Sequence, residues 1–176
     1  MMTGIFTDEQ TDVLLQPIKS HRVSQAEGFS HVEAYDIRAM LIRVFGFGGF
    51  DEVSVDPPVL LYEMETQTKA GKAAYKVAYR ASRRLVIRAM DERCVYEGTA
   101  VGESTMPDYK RGDAHDMAIK TAESQALKRC AINLGDQFGL SLYADGSLKP
   151  LVFKVIGHEP AQPKTDAFGT PKETKD

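Results

Sequence analysis

The chain has 176 residues, of which 43% are hydrophobic and 27% charged, and its formal net charge is −3. This length and composition fit one globular domain with a substantial core and exclude a chain that is disordered throughout. The charge is uneven, because segment 69–129 contains 13 Lys or Arg and 8 Asp or Glu, a net of +5, which leaves −8 on the rest. Basic residues are therefore concentrated in the middle of an acidic chain.

The first residues have no basic segment leading into an apolar run, and no stretch approaches the length of apolar sequence that spans a membrane. We therefore predict neither secretion nor membrane insertion, and we expect a cytoplasmic protein. Cys94 and Cys130 lie far apart, without a CxxC motif or a nearby histidine pair. We expect free thiols and no metal site.

Two helices are predicted near the N-terminus. Thr7 and Gln10 have the spacing of a capping box, which indicates a short helix that ends before Pro17. After a linking stretch to about Ser30, apolar residues recur at helical spacing within 32–45 and predict a second helix of about three turns. It ends in the glycine-rich and aromatic segment 46–50, where glycines permit positive φ.

Three segments alternate between apolar and polar residues, namely 51–66, 73–90 and 94–103. They predict three antiparallel strands joined by hairpin connections at 69–72 and 91–93. Pro57 and Pro58 cannot donate hydrogen bonds to a neighbouring strand. We therefore expect that part of the first strand to lie at a sheet edge or to form a bulge.

A long helix is predicted from Gly112 to about Gly135, with small residues at four-residue intervals that let it approach a sheet closely. The positions of this stripe are Ala114, Ala118, Ala122, Ala126, Cys130 and Leu134. From Gly157 onward the composition predicts a disordered tail over 157–176. The predicted fold is α+β: one domain over 1–156, with a three-stranded antiparallel sheet packed on a long helix and additional N-terminal helices.

The second predicted strand has an apolar face, interrupted by Arg83, and a face with a basic residue at every fourth position. The four basic residues are Lys76, Arg80, Arg84 and Arg88. They are about 13 Å apart at the usual rise of a strand, a spacing suited to the phosphates of an extended nucleic-acid strand. A solvated outer face is the alternative. The local excess of basic residues over Asp91 and Glu92 favours phosphate binding modestly.

The long helix carries a second basic group. Lys120 and Lys128 are about 12 Å apart along the axis and share a flank, whereas Arg129 lies a further 100° around the helix. An ordinary helix surface is again the alternative.

The sequence supports a catalytic site less well than a nucleic-acid-binding site. His115-Asp116 resembles the central dipeptide of metal-dependent phosphohydrolases, but those enzymes need further histidines at characteristic positions and only three others are present. A nuclease built on Asp113, His115 and Asp116 therefore remains only an alternative. Segment 46–49 lacks both the Rossmann spacing and the Lys-Ser/Thr of a P-loop. We predict no enzyme activity, no ATP-driven mechanism and no cofactor.

Three segments together resemble a known family. Segment 118–131 (AIKTAESQALKRCA), followed by Leu134-Gly135 and 138–143 (FGLSLY), is similar to the signature helix of the Rad52 family of single-strand annealing proteins. Segment 32–50, with its FGFGGF ending, resembles the family's first core helix. Segment 96–102 (YEGTAVG) resembles its third strand.

The resemblance implies a β-β-β-α core in a closed homo-oligomeric ring that holds single-stranded DNA in a basic outer groove and anneals it to a complementary strand without ATP. Lys128 and Arg129 match the family's paired DNA-contacting residues, and Lys120 matches an earlier basic position. Lys110 and Arg111 lie near a basic site associated with a second DNA strand.

Two positions depart from the family pattern. Asp36 stands where an arginine is usual, with Arg38 two residues later, and Ile132 replaces another basic contact. The resemblance leaves open whether Arg38 or the strand arginines compensate for these changes.

The resemblance also indicates which protein partners and which cellular location to expect. Eukaryotic members bind a recombinase and a single-strand-binding protein through a long C-terminal region, and we expect this protein to be without one. A compact phage or bacterial type in the cytoplasm of a bacterial cell is therefore expected, with a single-strand-binding protein or recombinase as an optional partner. The alternative function is a ring-forming scaffold that uses its basic strand face to bind an acidic protein partner without annealing.

Overall fold

The computed structural model describes residues 5–26, 28–89 and 92–160. It has the predicted α+β fold, in which a three-stranded antiparallel sheet packs on one long helix and N-terminal helices flank this core. The helices are α1 (Asp8–Leu14), α2 (Ala34–Phe45), α3 (Arg111–Ala131) and α4 (Leu140–Asp145). The strands are β1 (Ser24–Ala26), β2 (Phe29–His31), β3 (Phe50–Gln67), β4 (Ala73–Ala89) and β5 (Glu92–Pro107).

The N-terminal helices begin and end for local reasons. At α1, the Thr7 hydroxyl accepts a hydrogen bond from the Gln10 amide at 3.2 Å, and the Gln10 side chain accepts one from the Thr7 amide at 3.0 Å. This confirms the capping box. At the end of α2, Gly46 has φ +79°, and a Cβ on Gly49 would lie 2.0 Å from the Phe45 carbonyl oxygen. Glycine is therefore required at both positions of the predicted helix ending.

The main sheet has the order β3-β4-β5, with both neighbours antiparallel to the central strand. Pro57 and Pro58 lie in the edge strand β3, between the paired residues Asp56 and Val59, where the register shifts. The sheet edge and the irregularity expected at the two prolines are both confirmed. β5 continues to Pro107, beyond the predicted end at 103.

Helix α3 crosses β4 and β5 at very short range. The alanines of its small-residue stripe are fully buried. They face Gly98 and Gly102 of β5, and a Cβ on Gly102 would lie 2.2 Å from the Ala122 amide nitrogen and 2.4 Å from the Ala118 carbonyl oxygen. Glycines on the strand and alanines on the helix thus allow the two backbones to touch.

The apolar face of β4 packs against α3, with Val77, Leu85 and Ile87 fully buried. Arg83, the exception on this face, is accommodated because its guanidinium group forms an ion pair with Glu123 of α3 at 2.6 Å.

The sequence pattern missed two elements. The hairpin β1–β2 lies in the region expected to be a link, and α4 follows Gly139, whose φ is +91°. Beyond α4, the buried carboxylate of Asp136 accepts hydrogen bonds from the amides of Leu151 and Val152 at 3.0 and 2.9 Å. These bonds hold the following segment against the core.

Of the predicted tail, residues 161–176 lie outside the described part of the chain. Its first residues are described, and there His158 lies 3.3 Å from Asp8 and 2.8 Å from Asp12 of α1. Among the described helices, none has the length and apolar character needed to cross a membrane.

Candidate nucleic-acid interface

Lys128 and Arg129 lie side by side in the last turn of α3. Arg129 is exposed, and its Nη1 donates a hydrogen bond to the Thr99 carbonyl oxygen of β5 at 2.7 Å. Lys128 is half-buried, and within the described residues its ammonium has no hydrogen-bond or ion-pair partner. Burial lowers the pKa of Lys128, an effect that the charge of Glu33 partly opposes. In the described part of the chain, the site therefore holds a cation that no carboxylate contacts as an ion pair.

These two residues line a cleft of about 140 Å³, which we call the α3 cleft. Its walls are Ser30, His31, Val32, Gln125, Lys128, Arg129, Ile132, Phe138, Gly139, Leu142 and Tyr143. Gly139 has positive φ, and a Cβ there would lie 3.2 Å from the Val32 side chain. The missed elements β2 and α4 thus complete the cleft around the predicted basic pair. Ile132 contributes an apolar wall instead of a third charge.

Asp36 is neutralised by Arg22. The Arg22 guanidinium group donates to both Asp36 carboxylate oxygens, with Nη2 to Oδ2 at 2.7 Å. It also donates to the side chain of Gln137 at 2.6 Å and to the carbonyl oxygen of Gln137 at 3.0 Å. The sequence gives no sign of this role for Arg22, because the residue lies in an irregular segment 14 residues before its partner and belongs to no periodic pattern.

Arg38 is not among the residues that line the α3 cleft. Its guanidinium group binds both carboxylate oxygens of Glu52 at 2.9 Å, and this hydrogen bonding raises the pKa of Arg38. The guanidinium group of Arg38 is therefore held in an ion pair with Glu52 of β3.

The four basic residues of β4 share the sheet face opposite α3, which we call the outer face. Three of them pair with acids from neighbouring strands: Lys76 with Glu103 at 3.0 Å, Arg84 with Glu97 at 2.6 Å, and Arg88 with Asp51. Arg80 is exposed and, among the described residues, has no ion-pair partner. The local excess of positive charge expected from the sequence is thus corrected, because strand pairing brings in acids that are distant along the chain.

Of the remaining predicted residues, Lys110 and Arg111 lie at the start of α3 and Lys120 lies near its middle. Lys120 pairs with Asp116 at 2.5 Å. Arg111 pairs with Glu63, and its guanidinium carbon lies 4.5 Å from the centre of the Tyr75 ring. Lys110 is exposed. About 25 Å of helix separates Arg111 from Lys128, so the structure does not bring these two groups into one cleft.

Two of the three alternative catalytic residues, His115 and Asp116, have structural partners. His115 is hydrogen-bonded to the Tyr79 hydroxyl at 3.0 Å and lies 3.7 Å from Glu63, while Asp116 holds Lys120. Within the described ranges, no three His, Cys, Asp or Glu side chains cluster so that they could hold a metal ion.

The family model for Rad52/22 family double-strand break repair proteins matches residues 9–152. The chain belongs to the Rad52/22 family. No individual curated protein matches the sequence. Membership in the Rad52/22 family gives the chain a role in recombination and repair, and it implies DNA binding and oligomerisation.

The match to the Rad52/22 family includes all nine predicted basic residues and every helix from α1 to α4, apart from the first residue of α1. It therefore covers the hairpin β1–β2 and the α3 cleft, which need the N-terminal elements as well as the signature helix. Two groups of cations result: Lys128 and Arg129 in the cleft, and the mostly ion-paired residues of the outer face and of the start of α3.

Proposed function

We propose that this Rad52/22 chain binds single-stranded DNA and anneals complementary strands without ATP, as an oligomeric ring, in homologous recombination or double-strand break repair. The observation that carries the proposal is the α3 cleft. There Lys128 is half-buried and, among the described residues, has no ion-pair partner, and it lies next to an exposed Arg129. Protein cations that are not already paired gain most from contact with a phosphate, because no carboxylate has to be displaced.

Annealing is possible if the protein holds the DNA strand by the phosphate backbone of the DNA. Phosphate contacts fix the position of a strand but carry no sequence information, so the bases stay free to select their complement. The strand carried past Lys128 and Arg129 then pairs by Watson–Crick rules with an incoming strand. In this proposal Lys110 and Arg111 contact the DNA at the other end of α3, and Lys120 contacts it near the middle of the helix. Lys76, Arg80, Arg84 and Arg88 contribute from the outer face.

Assembly into a ring is supported by the exposed edges and faces of the sheet. Within the described strands, β3 and β5 each pair on one side only. The outer face also exposes apolar side chains that a monomer does not cover: Val53, Val59, Met64, Val95 and Val101. An unpaired edge beside exposed apolar residues is typical of a surface that contacts another subunit.

The test is the double variant Lys128→Ala/Arg129→Ala, measured by fluorescence anisotropy with labelled poly-dT over a range of salt concentrations. Removal of one phosphate contact should reduce the salt slope for a single strand by about 0.7, so the expected reduction for the double variant is about 1.4. The matched control is Lys69→Ala/Lys72→Ala, which removes the same charge from the exposed β3–β4 connection. Equal affinities for the variant and the control would remove the assignment of the α3 cleft.

The annealing step has its own measurement. Two complementary labelled oligonucleotides should pair faster with the wild-type protein than without it, in the absence of ATP, and particle imaging should show rings. Incubation with Mg²⁺ or Mn²⁺ should leave the DNA intact. Binding to polyglutamate in preference to poly-dT would favour the scaffold function instead.

A further inference from the structure

A second and larger cleft lies on the other side of the start of α2, and its residues are distinct from those of the α3 cleft. It has a volume of about 770 Å³, within the range of clefts that hold ligands of several rings. We call it the α2 cleft. Its lining includes four basic side chains, Lys19, His21, Arg22 and Arg43, and one acid, Asp36.

The cations of this cleft differ in how far they are neutralised by acids. Arg22 and Asp36 neutralise one another through their paired hydrogen bonds. Arg43 is exposed and, in the part of the chain that the structure describes, has no ion-pair partner; Lys19 and His21 are exposed as well. The cleft therefore exposes the positive charge of Arg43, and the Arg22–Asp36 ion pair forms part of its lining.

One wall of the cleft is a single stripe of α2. Tyr35, Ala39 and Arg43 follow each other at four-residue intervals and therefore lie on one helix face. Tyr35 is 74% exposed, Ala39 is too small to fill the space between its neighbours, and Arg43 lies at the far end. An exposed aromatic ring followed by a basic side chain, with an open gap between them, suits a base stacked on the ring and a phosphate held beyond it.

The two clefts are neighbours. Val32 lines the α3 cleft and Tyr35 the α2 cleft, three residues further on, and the consecutive residues Gln137 and Phe138 line one cleft each. A strand that leaves the α3 cleft past the start of α2 therefore meets Tyr35 next.

We infer that single-stranded DNA continues from the α3 cleft into the α2 cleft, where Lys19 and Arg43 contact its phosphates and Tyr35 stacks on a base. This inference rests on the proposed function. The inference also explains how the chain can have Asp36 where the family usually has an arginine. Arg43 supplies the positive charge instead, seven residues later and about 10 Å along the same side of α2.

The test compares three variants in anisotropy titrations with long poly-dT: Lys19→Ala/Arg43→Ala, Tyr35→Leu and the control Lys69→Ala/Lys72→Ala. All the substituted side chains are exposed, and circular dichroism melts would verify that each variant folds. We expect an affinity loss of about tenfold for each α2-cleft variant and a salt slope reduced by about 1.4 for the double variant. The control should bind like the wild type.

A second readout reports contact directly. Oligonucleotides that contain 5-iodouracil should photo-crosslink to Tyr35, and Tyr35→Phe should keep the stacking affinity that Tyr35→Leu loses. Oligonucleotides of about four nucleotides, long enough for only one cleft, should be less sensitive to Lys19→Ala/Arg43→Ala than long ones.

The outcomes separate the inference from the proposed function. If Lys128→Ala/Arg129→Ala weakens binding while the α2-cleft variants match the control, the inference fails and the proposed function stands. If none of these variants weakens binding, both fail. If Lys19→Ala/Arg43→Ala abolishes binding of polyglutamate but leaves poly-dT affinity unchanged, the α2 cleft binds an acidic peptide, and the inference is overturned.

Discussion

Replacement of Gly102 by alanine should separate α3 from β5. The new Cβ would lie 2.2 Å from the Ala122 amide nitrogen and 2.4 Å from the Ala118 carbonyl oxygen, and both are backbone atoms that cannot rotate away. An ordinary contact is about 3.4 Å, so the helix has to move by about 1.2 Å. Overpacking of this kind costs about 3 kcal/mol, which lowers the melting temperature of a domain of this size by roughly 6–12 °C.

Gly112→Ala is the matched control, because it makes the same chemical change within α3. A Cβ on Gly112 meets nothing within 4 Å. Alanine is favoured over glycine in a helix, so this variant should gain about 0.5–1 kcal/mol. Thermal melts followed by circular dichroism, at one protein concentration, measure both. A Gly102→Ala variant as stable as the wild type would refute the close helix–strand contact.

Three further predictions concern individual side chains. The pKa of Lys128 lies below its usual 10.5 because of burial, so poly-dT affinity should fall as pH rises towards that value, whereas Lys128→Arg should keep its affinity; anisotropy titrations at several pH values test this. Asp36→Ala should destabilise the fold by about 2 kcal/mol in urea titrations, since Arg22 loses its carboxylate partner. Burial raises the pKa of the Cys130 thiol to about 11, so in the native protein a thiol reagent should label the half-buried Cys94 and leave Cys130 until denaturation.

The fold could be predicted where local hydrogen bonds or the regular spacing of apolar and small residues determine the structure. The capping box at Thr7 fixes the start of α1 through local hydrogen bonds. Alternation defines the three long strands, and the alanine stripe identifies the face of α3 that meets the sheet. Gly98 and Gly102 could be recognised by resemblance alone, and the structure supplies their physical reason, which is backbone contact with α3.

The candidate site was only partly predictable, because charge pairing depends on neighbours that are far apart in sequence. Arg84 lies 13 residues before Glu97 and directly opposite it across the β4–β5 pair. Arg22 reaches Gln137 across more than a hundred residues. A count of charges along one strand detects neither contact. The short hairpin β1–β2 escaped because three-residue strands are too brief to show alternation.

An acidic chain can bind nucleic acid when its cations differ in how far they are already neutralised. Arg84 and Arg88 have to give up or share a carboxylate before they meet a phosphate, and that carboxylate also repels the DNA. Lys128 has no such competitor within the described chain, and its burial disfavours its charge until an anion arrives. The affinity of this protein for DNA should therefore depend on a few cations beside α2 and α3, above all Lys128, and hardly at all on its net charge.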